Sequence, residues 1–234
     1  MKTMKTIQKT FGIMACIGIL AASATSVLAQ TSSLASLASG GTLTIDHKIF
    51  SGFSYQASGL TTFDPNQIFV TASASGGIDY LTWTGNMSLS SGGFASADLL
   101  LNYIVTVTPG GTPIDWIDQS YGGTATNALL AIDETAATGS FGGTVVGNSH
   151  LEIGDFSDPP AEPVQGDNLI INPSQSVLYV TKDIGFGVLG GGFATINQVE
   201  QSFHQVPEPS AMLLGSLGGG LLLVITSMRR AKRD

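Results

Sequence analysis

Cysteine and basic side chains are scarce in this chain, and both shortages restrict what it can do. The single cysteine is Cys16, so residues 30–205 can form neither a disulfide nor a thiolate site. The same region has two basic side chains, Lys48 and Lys182, against fifteen Asp and Glu, which gives a formal charge of −13. Such a surface repels phosphate backbones, and the sequence therefore predicts no nucleic-acid partner.

Motifs for catalysis are also missing. The chain has three histidines, His47, His150 and His204, and contains no Gly-x-Ser-x-Gly elbow, no His-Glu-x-x-His and no phosphate-binding glycine loop with lysine. We therefore expect no catalytic residue, no metal site and no cofactor, and the chain is predicted not to be an enzyme. A hydrolase that uses two carboxylates stays open as an alternative, because such a pair needs no fixed spacing in sequence.

What the middle of the chain does contain is typical of strands and turns. Gly, Ser, Thr and Ala predominate, with scattered β-branched and aromatic residues and no long amphipathic helical pattern. Thr42 to Ile49 alternates like one half-buried strand with Leu43, Ile45 and Ile49 on the same face. Leu99 to Thr108 alternates likewise and ends at Pro109. Further strands are predicted at 68–74, 78–84, 127–132, 144–146, 177–181 and 192–199. The pattern predicts an all-β fold, an antiparallel sandwich of two sheets, with a β-helix as the alternative.

The N-terminus has the charge order of a secretory signal peptide. Lys2, Lys5 and Lys9 precede an apolar run from Phe11 to Ala22, and small residues continue to Ala29. We expect Sec-type export and cleavage after Ala29 by signal peptidase. Cys16 leaves a lipoprotein as an alternative.

The C-terminus carries a second targeting segment. Val206, Pro207, Glu208 and Pro209 are followed by an uncharged stretch from Ser210 to Met228. As a helix, this stretch would span roughly 28 Å, enough to cross a bilayer once. Basic side chains that follow a span stay in the cytoplasm, so the ectodomain should face outward. The basic residues of this tail are Arg229, Arg230, Lys232 and Arg233.

Pro-Glu-Pro, an apolar helix and a basic cluster, in that order at the end of a chain, resemble the PEP-CTERM sorting signal of exported bacterial proteins. The resemblance implies recognition by exosortase, a membrane-embedded peptidase-like enzyme, and processing near Pro207 to Pro209. The chain would then be held briefly in the membrane by its C-terminal helix and afterwards placed at the cell surface or in the extracellular matrix. An ordinary tail anchor that stays uncut is the alternative.

Together these features divide the chain into a signal peptide (1–29), a β-rich ectodomain (30–205) and a sorting signal (206–234). We predict a structural or adhesive role in the exopolysaccharide matrix. The first alternative is a carbohydrate-binding module that uses exposed aromatic rings, and a polysaccharide hydrolase is the second. The aromatic candidates are Tyr80, Trp83, Trp116 and Tyr121.

Acidic residues suggest a metal only weakly. The densest group, Asp155, Asp158, Glu162 and Asp167, lies among prolines and lacks the regular spacing of calcium loops, so a solvated loop is predicted and a structural calcium is the alternative. Asp133 and Glu134 are adjacent and should point to opposite faces of a strand, which makes them poor joint ligands.

Overall fold

The computed structural model describes residues 28–154, 164 and 166–205. The predicted signal peptide up to Val27, the sorting signal from Val206 onward, and Asp155, Asp158 and Glu162 of the acidic loop lie outside the described residues. Within the described part, no helix is long and apolar enough to cross a membrane.

The described chain is almost entirely antiparallel β-sheet, which confirms the all-β prediction. A single five-residue helix interrupts it near the start, with Ser33 as N-cap: its hydroxyl accepts from the Ser36 amide. In chain order the elements are β1 (Gln30–Ser33), α1 (Leu34–Ala38), β2 (Leu43–Ile45), β3 (Lys48–Ser58), β4 (Phe69–Ser75), β5 (Ile78–Ser91), β6 (Ala95–Val107), β7 (Ile114–Thr138), β8 (Thr144–Ile153), β9 (Gly166–Gln175) and β10 (Val177–Gln205).

The strands form one continuous sheet and not the two separate sheets that were predicted. The order is β1-β4-β5-β10-β6-β3-β2, and β7 pairs with β10, β8 and β9. Residues 177–188 of β10 pair with β6, whereas residues 192–203 pair with β5. The sheet therefore has a β5 half and a β6 half, joined because β7 and β10 run side by side through both.

The two halves pack face to face, with the core between them. Phe50 of the β6 half lies 5.1 Å from Phe203 of the β5 half, measured between ring centroids, and Trp83 and Tyr103 make a similar contact at 5.5 Å. All four rings are essentially inaccessible to solvent. Burial of this continuous apolar face holds the fold together, because residues 30–205 contain no cysteine.

The predicted strand from Thr42 to Ile49 is wrong, since this segment is a tight hairpin. Ile45 pairs with Lys48 across a two-residue turn, and Asp46 has φ +45°, a left-handed conformation that Asp tolerates better than most residues. The turn reverses the alternation, so Lys48 is buried and Ile49 is not.

Three further strand predictions are too short. The segments 177–181 and 192–199 are parts of the single strand β10, and 127–132 is the middle of β7. The glycine run from Gly190 to Gly192 resembles a turn between two strands. In the structure it lies inside β10, where β10 and β7 bend from one half of the sheet to the other. The β6 prediction is confirmed: Leu99, Leu101, Tyr103 and Val105 are buried on one face.

Candidate functional site

An open groove of about 400 Å³ crosses the outer face of the sheet. Gly185 and Gly187 of β10 supply no side chains there, so the backbone forms its floor. A Cβ atom added at Gly185 would meet nothing within 4 Å, which means that the space above the floor is free. Ser96 and Asp98 of β6 line one side, and Leu129 and Ala131 of β7 line the other, which gives one polar and one apolar wall.

A row of carboxylates runs across the strands at the end of this groove. Asp98 lies opposite Gly185, two residues from Asp183, and Asp183 lies directly opposite Asp133 on β7. A hydrogen bond with Asp98, followed by partial burial and the charges of Asp98 and Asp133, raises the pKa of Asp183 to about 6. Below about pH 6 a proton therefore stays on this pair of carboxyl groups, because like charges so close together cannot both ionise freely.

His150 on β8 continues the row. Its Nδ1 lies 2.8 Å from an oxygen of Asp133, and its Nε2 lies 3.1 Å from an oxygen of Glu152. These hydrogen bonds raise the pKa of His150, while partial burial opposes them. The backbone amide of His150 donates to Asp167 at 3.2 Å, which ties β9 to the same region.

Stability should therefore fall as pH rises from about 4 to 6. The pKa of Asp183 is near 6 in the folded chain and about 4 in an unfolded one, so the folded state binds the proton more tightly and loses this advantage as the proton leaves. The stability due to His150 is present below about pH 6.5 and is lost as pH rises through its raised pKa. Melting temperatures measured across this pH range should show the fall in stability. Asp183→Asn should remove the part of the fall that occurs between about pH 4 and 6.

Glu200→Gln is the charge control, because it deletes a carboxylate of the same strand away from this row. An unchanged pH profile in Asp183→Asn would contradict a proton held by the pair of Asp98 and Asp183.

Of the site residues predicted from the sequence, Ala29 alone lies within the described part of the chain. It is exposed and directly precedes β1. The opposite orientation of Asp133 and Glu134 is confirmed, since Asp133 is on the outer face and Glu134 is fully buried. The sequence pattern did not reveal the groove, because its floor depends on which residues of β6 and β7 flank Gly185 and Gly187.

The aromatic candidates for sugar binding separate into two groups. Trp83 and Tyr121 are buried, at 1% and 7% exposure, so neither ring is free to stack on a sugar. Tyr80 and Trp116 are half-buried on the outer face. Trp116 stacks on His204 with ring centroids 4.4 Å apart, so one face of the indole is already covered.

Ser202, His204 and Asp118 also meet on the outer face, but not as a catalytic relay. The Nε2 of His204 lies 3.0 Å from the Ser202 hydroxyl and 2.6 Å from an oxygen of Asp118. In a serine hydrolase, one ring nitrogen of the histidine accepts the proton of the serine, and the other donates a hydrogen bond to the carboxylate, which orients the ring. Here both partners are at the same nitrogen. Among the residues that the structure describes, no group of three or more His, Cys, Asp or Glu could hold a metal ion.

Comparisons with known proteins assign no family. No protein-family model and no curated protein matches the chain. The enzymatically active domain of bacteriophage CBA120 tailspike protein 4 is similar over 64% of this chain, at 13% identity and a TM-score of 0.30, and this chain spans 19% of that one. A family 12 xyloglucanase from Bacillus licheniformis is similar over 66% of this chain and all of its own length, at 12% identity and a TM-score of 0.25. Likenesses at this level carry no functional argument.

Proposed function

We propose that this chain is an exported bacterial protein that exosortase sorts to the cell surface or the extracellular matrix through its C-terminal signal. The observation that supports this division of the chain is the extent of the sheet. Its first strand begins at Gln30, next to the predicted cleavage site at Ala29, and its last strand continues to Gln205, the last residue that the structure describes. The sheet thus occupies the interval between the two targeting segments.

A structural or adhesive role suits the charge of the domain surface. The two lysines of residues 30–205 are completely buried and paired with carboxylates, so the described outer surface presents carboxylates without a lysine or arginine. Such a surface repels anionic polymers and stays compatible with neutral ones. The same property argues against an attraction to anionic lipid headgroups.

Replacing Pro207, Glu208 and Pro209 together with alanine should leave export intact and trap the uncut form in the membrane. The apolar span alone is sufficient for insertion, whereas processing needs the triplet. Fractionation and immunoblotting in an exosortase-containing host measure the result. Pro159→Ala with Pro160→Ala is the matched control, because it removes two prolines far from the tail. Normal processing of the triplet variant would contradict the sorting proposal.

The groove favours a second candidate function, binding of a neutral glycan. Asp98 lines the groove and is hydrogen-bonded to Asp183, so below about pH 6 this pair can both donate and accept hydrogen bonds, as sugar hydroxyls require. Leu129 offers an apolar surface for a sugar face. Hydrolysis at this pair is disfavoured. The two carboxyl groups are hydrogen-bonded, whereas those of glycoside hydrolases stand about 5 Å apart or more.

Calorimetric titration with neutral oligosaccharides, followed by arrays of longer glycans, tests the groove. Gly185→Val should fill it and weaken binding by at least about tenfold. The fold should be kept, since a Cβ atom at this position enters free space. Trp116→Ala is the matched comparison on the same outer face. Loss of binding in Trp116→Ala alone would move the glycan site to the Trp116–His204 stack, and binding unchanged in both variants would contradict either location.

A further inference from the structure

A buried cluster of four polar side chains joins the two halves of the sheet. Lys182 and Glu134 face each other in register on β10 and β7, within the β6 half. Gln201 and Gln119 face each other on the same two strands, within the β5 half. All four side chains are at most 2% exposed.

The contacts within this cluster run from one half to the other. The Lys182 ammonium donates to Glu134 and, at 2.5 Å, to the Oε1 of Gln119. Glu134 accepts from Gln201 through its other oxygen at 2.5 Å. The side-chain amide nitrogen of Gln119 donates to the Ser149 hydroxyl, and Tyr103 donates to Gln201.

The amine of Lys182 is therefore within reach of an amide carbon. A C=O bond is about 1.2 Å long, so a nitrogen 2.5 Å from Oε1 is at most about 3.7 Å from the Cδ of Gln119. Reacting atoms held about 3–3.5 Å apart are at the distance from which bonds form. A small movement at the flexible end of the Lys182 side chain would bring its nitrogen to this distance from the Cδ of Gln119.

The surroundings favour the uncharged forms of both ionisable groups. Burial lowers the pKa of Lys182 and raises the pKa of Glu134, while their mutual attraction opposes both shifts. A neutral amine is a nucleophile, and a carboxyl group beside it can carry a proton. Water is excluded, because Trp83 and Tyr103 pack around the same centre.

We propose that Lys182 and Gln119 react with each other in the folded chain to form an intramolecular amide cross-link. The nitrogen of Lys182 attacks the Cδ of Gln119, and the C–N bond to the lysine forms. The carboxyl group of Glu134 takes a proton from the attacking amine and gives its own proton to the original amide nitrogen of Gln119. The bond between Cδ and that nitrogen then breaks, and ammonia leaves. No oxidant or other reactant is needed.

The cross-link would act in place of a disulfide. It joins the β6 half to the β5 half through the core of an exported domain that has no cysteine. It closes the chain from residue 119 to residue 182 and restricts the unfolded state in the way a disulfide does. The inference is independent of how the chain is sorted.

Mass spectrometry of the purified full chain tests the proposal without any mutation. After complete denaturation, a protease that cuts after lysine should cut at Lys48 but not at Lys182, because an acylated lysine is no longer recognised. A protease that cuts before aspartate should then release peptides 118–132 and 167–182 as one linked species, lighter than their sum by one ammonia. Lys48 is an internal control, because it is equally buried and pairs only with a carboxylate, Asp79.

Complete cleavage after Lys182, with both peptides at unmodified mass, would overturn the cross-link. A linked species lighter by one water would instead place the bond at a carboxyl group and would overturn the role of Gln119. Glu134→Gln keeps the shape of the side chain and removes its proton transfer, so it should leave Lys182 free and cleavable. A Glu134→Gln variant that remains linked would overturn the role of Glu134.

Discussion

Replacing Lys182 with methionine should lower the free energy of unfolding by about 3–5 kcal/mol, because it removes the buried nitrogen that contacts Glu134 and Gln119 and leaves the Glu134 carboxyl group uncompensated. For a chain of this size the melting temperature should fall by roughly 10 °C. Thermal unfolding followed by circular dichroism measures the change. Methionine is chosen because it keeps the length of the apolar stem, so the effect comes from the lost nitrogen, with its contacts to Glu134 and Gln119, and not from a cavity.

The double variant Lys182→Met with Glu134→Gln shows how much of the lost stability comes from an unpaired Glu134 carboxylate. With no carboxyl group left at residue 134, it should be more stable than Lys182→Met alone. The single variant should also lose stability as pH rises, because its Glu134 must be protonated to stay buried and the folded state then binds the proton more tightly. Equal stability of the single and double variants at pH 8 would contradict this account.

The sequence predicted β6 well, because every second residue of this regular strand points to the buried face. Prediction failed where the backbone changes direction. At Asp46 and His47 a two-residue turn reverses which side chains are buried, and no Asn-Gly or Asp-Gly pair signals it. At Gly190 to Gly192 the glycines mark a bend within β10 and not its end.

The buried cluster could not be predicted from sequence for a different reason. Residues 119, 134, 182 and 201 are distant in sequence and meet only because β7 and β10 fold across both halves of the sheet. One signal was present: in a domain with only two lysines, Lys182 alternates in phase with apolar neighbours. Lys182 lies between Val180 and Ile184, and all three are buried, which is the pattern of an inward-facing residue.

Gly85→Ala should also be strongly destabilising, by about 2–4 kcal/mol, for two separate reasons. Gly85 has φ +152°, a conformation that residues with a Cβ rarely adopt. An added Cβ would lie 2.5 Å from the Cδ1 of Ile68 and 2.7 Å from the carbonyl oxygen of Gln67. The pairing register of β5 with β10 shifts beside this glycine, between Ile196 and Gln198, so the strand cannot straighten without moving its neighbours.

Variants of two other glycines measure the backbone strain and the close contacts separately. Gly76 has φ +61° but free space around it, so Gly76→Ala carries the backbone strain alone and should cost about 1 kcal/mol. Gly185 has neither a positive φ nor a neighbour within 4 Å, and Gly185→Ala should change stability by about 0.5 kcal/mol or less. Denaturant unfolding of the three variants should rank them Gly85→Ala, Gly76→Ala, Gly185→Ala in decreasing loss. A Gly85→Ala loss no larger than that of Gly76→Ala would mean that Ile68 and Gln67 move aside at little cost, and that the bend in β5 is set by backbone conformation alone.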